Sequence, residues 1–280
     1  MNYTVNILSL RFNLIILNEN LSMAVYKTEI TSDLIPSDNP IHQRLKKPYV
    51  AIADKVKGDV LELGCGEGRG VALLLPGAKS YLGLDKIGSV IDKLRAQYPE
   101  ASFEQTSFPP LNTISDDSFD TVVSFQVIEH IRNDRLFLEE IYRVLKPGGT
   151  AYITTPNRKM SLTRNPWHIR EYLTDELKAL TEEIFDQAEL KGITGNEKVM
   201  KYYENNRASV KRIMRFDILD LQHRMPAFLL KIPYEIMNRI NRNRLSSSDD
   251  SLVRSIDQSD YLVSDNPVAS LDLFAIAHKK

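Results

Sequence analysis

The sequence predicts an α/β fold built on a doubly wound parallel sheet, and two observations lead to this prediction. Between residues 57 and 193, short apolar, β-rich segments alternate with segments of helical periodicity. Strands separated by helices of this length are typical of parallel βαβ units. The first strand also runs directly into a glycine-rich turn, where sheets of this kind receive nucleotide-like ligands.

The elements follow one another in a regular order. Seven strands are predicted, at residues 59–63, 80–85, 101–106, 119–125, 150–155, 185–193 and 271–277. Four helices are predicted between them, over 68–75, 90–98, 133–145 and 174–183. The apolar residues of these helices recur at helical spacing, and proline follows closely after the first three.

These patterns divide the chain into three parts. We expect a ligand-binding domain over 41–195 and 261–280, interrupted by a helical insertion over 196–260 that ends in a mobile Ser/Asp-rich loop. Residues 1–40 are expected to form an N-terminal extension without regular structure, with Met23 as an alternative start. The apolar run 5–17 is shorter than the roughly 20 residues of a spanning helix, and no basic leader precedes it. Cytoplasmic localisation is therefore the default expectation.

Charge and cysteine content exclude several classes of protein. Lys and Arg number 36 against 37 Asp and Glu, so the chain as a whole does not favour a polyanion as its partner. The single cysteine, Cys65, excludes an internal disulfide and any metal site made of cysteines alone. Its place inside the glycine turn favours a small buried residue over a nucleophile.

The glycine turn has the composition of a ligand-binding loop. It runs Val60-Leu-Glu-Leu-Gly-Cys-Gly-Glu-Gly-Arg-Gly70, with Gly64, Gly66 and Gly68 in alternation and Glu62 inside the strand. Glycines allow a ligand to approach the backbone, and the start of the next helix offers unpaired N–H groups. Glycines also serve simple tight turns, so this pattern alone indicates only a nucleotide-like ligand.

Asp85 supplies the second half of this pattern. It ends the next strand, 19 residues after Gly66, where a carboxylate can accept both hydroxyls of a ribose. A dinucleotide fingerprint beginning at Gly64 would require a glycine at position 69, where this chain has Arg69. The spacing therefore disfavours an NAD-type oxidoreductase.

The combined pattern resembles the class I S-adenosylmethionine-dependent methyltransferases, whose first motif is an acidic residue followed by alternating glycines. The resemblance extends over 57–193, because 119–130 resemble the family's fourth strand with its following loop and 137–149 resemble the helix and turn before its fifth strand. It implies a Rossmann-like sheet of seven strands whose last strand, at 271–277, is antiparallel. It also implies S-adenosylmethionine as the cofactor and methyl transfer as the activity.

The resemblance implies a role for individual residues. Gly64 and Gly66 would pass close to the methionine and ribose portions of the cofactor, Glu62 would support their loop, and Asp85 would hold the ribose. The full set of cofactor-binding residues implied is Glu62, Gly64, Cys65, Gly66, Gly68, Asp85, Lys86, Thr106, Ser107, Phe125 and Gln126.

The adenine contact departs from the family pattern. Many relatives place an aspartate after the third strand to receive the adenine amino group, whereas this chain has Thr106 and Ser107 there. A hydroxyl can accept the same hydrogen bond, although a neutral acceptor is weaker than a carboxylate.

Two histidines are the candidates for catalysis. Methyl transfer from a sulfonium is an in-line displacement that mainly requires alignment, and a hydroxyl acceptor also needs a general base. His130 follows the fourth strand, and His168 lies in 165–172, a stretch that resembles the border of the acceptor pocket in enzymes acting on quinone precursors and glycans. The alternative is structural: His130 would cap its loop, and His168 would form hydrogen bonds beside a closed core.

A metal site is a further alternative at the same place. Glu129, His130, His168 and Glu171 are residue types that bind divalent ions. Spacing alone gives them no common geometry, so the sequence-based prediction is a site without metal.

The insertion combines positive charge with apolar residues. Residues 198–244 contain eleven Lys or Arg and four Asp or Glu. Helices of this composition can cover a pocket, lie on an anionic membrane surface or bind lipid, or dock a partner. Nucleic acid is not an expected partner, because no added RNA-binding domain is recognisable.

We therefore expect an enzyme that methylates a small-molecule acceptor, at an oxygen of a glycan, lipid-linked or quinone-like compound. The alternative is a non-catalytic module of the same fold that binds the cofactor or docks a partner. The oligomeric state is left open by the sequence.

Overall fold

The computed structural model describes residues 35–215, 217 and 220–280. Eight strands form one sheet, at Gly58–Leu63 (β1), Ala78–Asp85 (β2), Ser102–Gln105 (β3), Phe119–Phe125 (β4), Leu145–Pro156 (β5), Gln187–Gly195 (β6), Tyr261–Ser264 (β7) and Asp272–His278 (β8). The helices of the domain are Asn39–Ile52 (α1), Val71–Leu74 (α2), Gly88–Gln97 (α3), Asp134–Val144 (α4) and Thr174–Ile184 (α5). The insertion contributes Glu197–Met214 (α6), Leu221–Arg224 (α7), Ala227–Ser248 (α8) and Asp250–Ser255 (α9).

The strand order in the sheet is β3-β2-β1-β4-β5-β8-β6-β7. Strands β1 to β5 are parallel, and β8 lies antiparallel between β5 and β6. The prediction of a doubly wound sheet whose last strand is antiparallel is therefore confirmed. The chain order reverses direction between β1 and β4, so the loops after these two strands diverge and leave a crevice for a ligand.

Two apolar clusters cover the two faces of the sheet. On one face, Tyr49 of α1, Leu74 of α2 and Ile91 of α3 pack with residues of α6 and α8. On the other face, Phe137 of α4 and Leu177 of α5 pack against the central strands. The two-sided burial explains why β1 and β4 are buried at nearly every position rather than at alternate ones.

The strand count and the first helix differ from the sequence-based predictions. The sheet has eight strands instead of seven, because the chain returns from the insertion as β7 and pairs antiparallel with the end of β6. The predicted helix 68–75 is reduced to the four residues of α2, followed by a 3-10 turn. Gly66 and Gly68 have φ of +51° and +80°, which lie outside the helical region and keep the chain in an open turn up to Gly70.

The segment 246–260 was expected as a loop but contains helical structure. Helix α8 continues to Ser248, α9 follows, and a 3-10 turn leads into β7. Asp249 caps α9 by accepting a hydrogen bond from the Leu252 N–H group at 3.0 Å. Its mobility stays a prediction.

The described start of the chain belongs to the body of the protein. Residues 1–34 of the predicted extension lie outside the described residues, whereas residues 35–40 form a 3-10 turn and the first residues of α1. Asp38 is fully buried and forms ion pairs with Arg239, at 2.9 Å, and with Arg242, at 3.3 Å. The turn before α1 is thereby bound to α8 of the insertion.

No helix in the described part of the chain combines the length and the apolar character needed to cross a bilayer.

We predict that Asp38→Asn lowers the free energy of unfolding by about 3 kcal/mol, because it leaves two arginines without their buried carboxylate. Urea denaturation measures this change. The control is Asp250→Asn, which breaks an exposed ion pair with Arg254 and should cost no more than about 0.5 kcal/mol. Equal effects of the two substitutions would show that the Asp38 cluster does not hold the insertion in place.

Candidate active site

The glycine turn lies at the carboxyl edge of the sheet, directly beyond β1. Asp85 is buried at the end of β2, and its Oδ2 accepts a hydrogen bond from the Gly66 N–H group at 3.0 Å while Oδ1 accepts one from Ile87 N–H at 3.0 Å. The carboxylate thus clamps the glycine turn to the end of β2. Each oxygen uses one of its lone pairs in this way, so a second remains for a ligand hydroxyl.

The three alternating glycines differ in what surrounds them. A Cβ added to Gly64 would lie 2.5 Å from Val127 Cγ2, and one added to Gly68 would lie 2.4 Å from Leu94 Cδ2. A Cβ on Gly66 would meet nothing closer than the Gly64 carbonyl oxygen at 4.0 Å. All three have positive φ, which favours glycine; Gly64 and Gly68 are also crowded by side chains, while Gly66 faces open space beside the Asp85 carboxylate. This open face is where a cofactor can approach the backbone.

Glu62 supports the turn from below. It is 1% exposed and accepts hydrogen bonds from the hydroxyls of Tyr49, at 2.7 Å, and Tyr81. Burial raises the pKa of Glu62 to about 7, although the two hydroxyls and the charge of Arg69 act in the opposite direction. A buried acid inside a strand indicates that hydrogen-bond donors lie near it. No feature of the sequence identifies the two tyrosines as those donors.

Tyr49 can reach Glu62 because Gly70 has no side chain at the position that the tyrosine ring occupies. A Cβ on Gly70 would lie only 2.0 Å from Cε1 of Tyr49. The same ring packs edge-on against Phe125, with ring centroids 4.7 Å apart. The last glycine of the motif therefore serves the packing of α1.

The remaining predicted cofactor residues surround this edge. Thr106 and Ser107 follow β3 next to Asp85, whose carbonyl oxygen accepts a hydrogen bond from Thr106 N–H at 2.9 Å. The Lys86 side chain is exposed, and its carbonyl oxygen accepts a hydrogen bond from the Gln105 amide at 3.1 Å. Cys65 is buried, as expected, and burial raises the pKa of its thiol well above the ordinary value.

Gln126 directly follows β4 and lies in the left-handed region, with φ of +57°. Its side chain amide donates to the Thr154 hydroxyl at 3.3 Å. In this conformation the Gln126 side chain therefore contacts β5, and the predicted cofactor contact stays a prediction.

The structure brings His130 and His168 together. Their ring centroids lie 5.0 Å apart, edge to face. The Glu129 carbonyl oxygen accepts hydrogen bonds from the N–H groups of Ile169, at 2.8 Å, and Arg170, which joins the loop after β4 to the loop that carries His168. The two histidines are separated by 37 residues in the sequence, and this backbone contact helps to bring them together.

Both histidines have the same tautomer in this arrangement. His130 Nδ1 lies 3.0 Å from the Trp167 carbonyl oxygen, which can only accept, so Nδ1 donates. His168 Nδ1 lies 2.6 Å from Glu171 Oε1 and its Nε2 lies 2.9 Å from the Asn165 amide nitrogen. In both neutral rings Nε2 is therefore the atom with the lone pair, which is the state that a base or a metal ligand requires.

Glu129 completes a compact set of ligand atoms. It is 1% exposed, and its Oε2 accepts a hydrogen bond from the Thr155 hydroxyl at 3.0 Å. One ligand atom from each of Glu129, His130 and His168 lies within 4.8 Å of the other two. Glu171, the fourth residue of the metal alternative, instead orients His168. Two imidazoles and a carboxylate are a donor set that fits a divalent transition metal ion.

Comparisons with known proteins find similar sequences over the first part of the domain. A family profile described as a methyltransferase domain matches residues 61–153. A probable S-adenosylmethionine-dependent methyltransferase of Mycolicibacterium smegmatis is 37% identical over 154 residues, which are 53% of this chain and 60% of that protein. A mitochondrial ubiquinone biosynthesis O-methyltransferase of Rattus norvegicus is 36% identical over 112 residues, 35% of this chain and 31% of that protein. The chain thus spans roughly half the length of the curated relatives it matches.

Solved structures share the fold more widely. An S-adenosylmethionine-dependent methyltransferase of Thermotoga maritima superposes with a TM-score of 0.53 at 14% identity, covering 86% of this chain and 91% of that one. Another, from Archaeoglobus fulgidus, has a TM-score of 0.51 at 16% identity and covers 85% and 93% of the two chains. At these identities the likeness concerns the fold.

We predict that Glu62→Gln flattens the pH dependence of stability. The pKa of Glu62 is about 7 in the folded protein, above its ordinary value of 4.5, so the folded state holds this proton more tightly than the unfolded chain. Its stabilising contribution is therefore present below pH 4.5 and is lost as the pH rises to 7, a change on the order of 3 kcal/mol. Urea denaturation of both proteins at pH 5 and pH 8 measures it.

The matched control is Glu104→Gln, at an exposed position of β3, which should keep the pH dependence of the unaltered protein. A Glu62→Gln variant with the same dependence would show that Glu62 is ionised throughout this range.

Proposed function

We propose that this chain, which carries the methyltransferase domain of the class I S-adenosylmethionine-dependent family, transfers a methyl group from S-adenosylmethionine to an oxygen of a small-molecule acceptor. The observation that supports this most directly is the pairing of two features at one edge of the sheet. The open face of Gly66 beside the Asp85 carboxylate would receive the cofactor, and the Glu129–His130–His168 cluster after the neighbouring strand β4 would receive the acceptor.

The described residues fit the cofactor's chemistry. Asp85 has one lone pair on each oxygen left for the two ribose hydroxyls, and the glycine turn would carry the methionine portion along Gly64 and Gly66. The hydroxyls of Thr106 and Ser107, beyond β3, would accept from the adenine. When bound, the cofactor supplies a methyl group already activated by its positive sulfur.

This chain's own residues would align the acceptor and take its proton. His168 Nδ1 donates to Glu171, which orients the ring and increases the basicity of Nε2. In this conformation the Nε2 lone pair accepts from the Asn165 amide, so an acceptor hydroxyl would replace that contact. His130 stands edge-on to the same ring and offers a second Nε2 nearby.

A phenolic oxygen of a quinone-like compound is the acceptor that the relatives favour. Ubiquinone biosynthesis O-methyltransferases of four further organisms or strains match this chain at 27–33% identity, beside the protein of Rattus norvegicus. A phenol loses its proton more readily than a sugar hydroxyl, so a neutral imidazole is an adequate base for it. Glycan and lipid-linked acceptors remain the other candidates.

A metal-assisted reaction is the second candidate for the same cluster. The ligand atoms of Glu129, His130 and His168 lie within 4.8 Å of one another. In both histidines Nδ1 donates to another residue, so Nε2 is the atom that would bind a metal ion. A divalent ion there would bind the acceptor oxygen and lower its pKa, so that no separate base is required.

We predict that Asp85→Asn weakens the binding of S-adenosylhomocysteine by about 10- to 100-fold in calorimetry. The substitution removes the charge from hydrogen bonds to the ribose, and charge-assisted hydrogen bonds contribute about 1.5–3 kcal/mol each. The control is Asp92→Asn at an exposed site on α3, which should bind with unchanged affinity. If the unaltered protein does not bind S-adenosylhomocysteine, the proposed function is wrong.

We predict that His168→Ala lowers turnover by roughly 100-fold or more, as expected for the loss of a general base, and changes the affinity for S-adenosylhomocysteine by no more than a few fold. Transfer of labelled methyl to an alkyl-substituted catechol is the measurement. His223→Ala, an exposed histidine of α7, is the control and should keep full turnover.

The metal alternative predicts a different outcome. Chelation would then abolish turnover of the unaltered protein, added Mn²⁺ or Mg²⁺ would restore it, and Glu129→Gln would be as damaging as His168→Ala. A protein that binds the cofactor but transfers no methyl to any phenol or sugar offered would favour the non-catalytic alternative.

A further inference from the structure

Helix α8 exposes a stripe of large apolar side chains. Phe228 is 70% exposed, Ile232 58% and Ile240 55%, and Leu229 and Ile236 are exposed as well. These residues are three or four positions apart, so they lie on one side of the helix over about 18 Å. Apolar side chains exposed in a continuous stripe, rather than scattered, indicate a surface that contacts another apolar phase.

The stripe is not the side by which α8 packs on the domain. That side carries Glu235, Asn241, Arg242 and Leu245, which are buried. Trp167 Nε1 donates to Glu235 Oε1 at 2.8 Å, and Arg242 pairs with Asp38. The helix is therefore held by polar and ionic contacts on one side, while its most hydrophobic side faces outward.

Positive charge lies at both ends of the stripe. Arg224 ends α7, three residues before the start of α8, and Arg244 follows Ile240 by one turn; both are exposed. Three more exposed basic residues, Lys211, Arg212 and Arg215, stand at the end of α6. Among the residues that the structure describes, none of these five takes part in an ion pair. An apolar stripe with basic flanks is complementary to a bilayer surface that contains anionic lipid.

A cavity of about 150 Å³ lies behind the same helix, between α6, α8 and residues 163–166. Its wall is largely apolar and includes Val210, Ile213, Met214, Leu230 and Met237. Pro233 and Met237 line the cavity and are also exposed, so the cavity adjoins the outer surface of α8.

One polar group in the wall of the cavity lacks a hydrogen bond. The Oε1 atom of Gln222 is buried and accepts no hydrogen bond from any residue in the described ranges. A buried acceptor without a donor is unfavourable, and a ligand hydroxyl can supply the donor. The cavity thus suits an apolar chain that carries a few polar groups.

The cavity lies beside the histidine loop. Pro166 lines it and is followed directly by Trp167 and His168. The Lys231 ammonium lies 4.0 Å from the centroid of the Trp167 ring, and the Trp167 carbonyl oxygen accepts from His130. Helix α8 therefore contacts both the outer surface and the loop that carries the candidate base.

We infer that α8 docks on the surface of an anionic lipid bilayer and that the cavity behind it binds the apolar chain of a lipid-type acceptor taken from that bilayer. This inference rests on the proposed function only in assigning the lipid as methyl acceptor. The lipid's oxygen would reach the His130 and His168 pair while its chain occupies the cavity.

Co-sedimentation with vesicles tests the docking surface. The full chain is expected to bind vesicles of phosphatidylcholine and phosphatidylglycerol at 3:1, and to bind pure phosphatidylcholine at least 10-fold more weakly. The double substitution Phe228→Glu and Ile232→Glu should weaken binding to the anionic vesicles at least 10-fold. The matched control is Leu262→Glu with Val268→Glu, two exposed apolar residues elsewhere, which should bind like the unaltered protein.

Absence of vesicle binding, or equal binding by both double variants, would overturn the docking surface. A concentration-dependent dimer that the Phe228→Glu, Ile232→Glu protein cannot form would also overturn it, because the stripe would then be an interface between two copies. Light scattering without vesicles detects that outcome.

A fluorescent fatty acid, dansyl-undecanoic acid, tests the cavity. Leu230→Trp fills the cavity and should weaken binding of this probe at least 10-fold, whereas Leu221→Trp, at an exposed position that does not line it, should not. Equal affinities would overturn the cavity as a lipid site. Calorimetry with S-adenosylhomocysteine on the same proteins separates the two proposals: vesicle and probe binding without cofactor binding would contradict the proposed function alone.

Discussion

The hydrogen bonds to the Glu62 carboxylate are the constraint on which the rest of the site depends. Glu62 lies in the central strand, and its two oxygens accept from hydroxyls on different elements, Tyr49 of α1 and Tyr81 of β2. Leaving a buried carboxylate without donors would cost several kcal/mol, so α1 and the two strands must stay in register. This arrangement determines where β1 ends and the glycine turn begins. Burial raises the pKa of Glu62 to about 7.

The glycine turn and the histidine cluster both lie at the carboxyl edge of the sheet, above the strands that Glu62 holds together. Asp85 draws the glycine turn to β2, which leaves Gly66 as the open point of the turn. On the other side of β1, the loop after β4 brings Glu129 and His130 to the carboxyl edge, where the 169–170 backbone binds the Glu129 carbonyl oxygen. The glycine turn after β1 and the loop after β4 therefore flank the point where the strand order reverses, which is where we propose that cofactor and acceptor bind.

The insertion adds helix α8 to the domain. Its α8 helix is held on its packed side by ion pairs with Asp38 and by a hydrogen bond from Trp167, so the insertion is bound both to the described start of the chain and to the histidine loop. Leu245 is the apolar residue of α8 that is buried, while Phe228, Ile232 and Ile240 are exposed. Their exposure is therefore better explained by a lipid phase than by the stability of the domain.

The fold class and the resemblance to S-adenosylmethionine-dependent methyltransferases could be predicted from the sequence, because they depend on local periodicity and on the spacing of small residues along one strand and its turn. Strand boundaries were predicted to within a few residues for the same reason, although the positive φ angles of Gly66 and Gly68 shortened the predicted helix after them. Other features depend on contacts between residues far apart in the chain. Tyr49 and Tyr81 as partners of Glu62, the meeting of His130 with His168, the eighth strand and the outward side of α8 were decided only by the tertiary structure, since the pattern near each residue is compatible with several partners and only packing selects one.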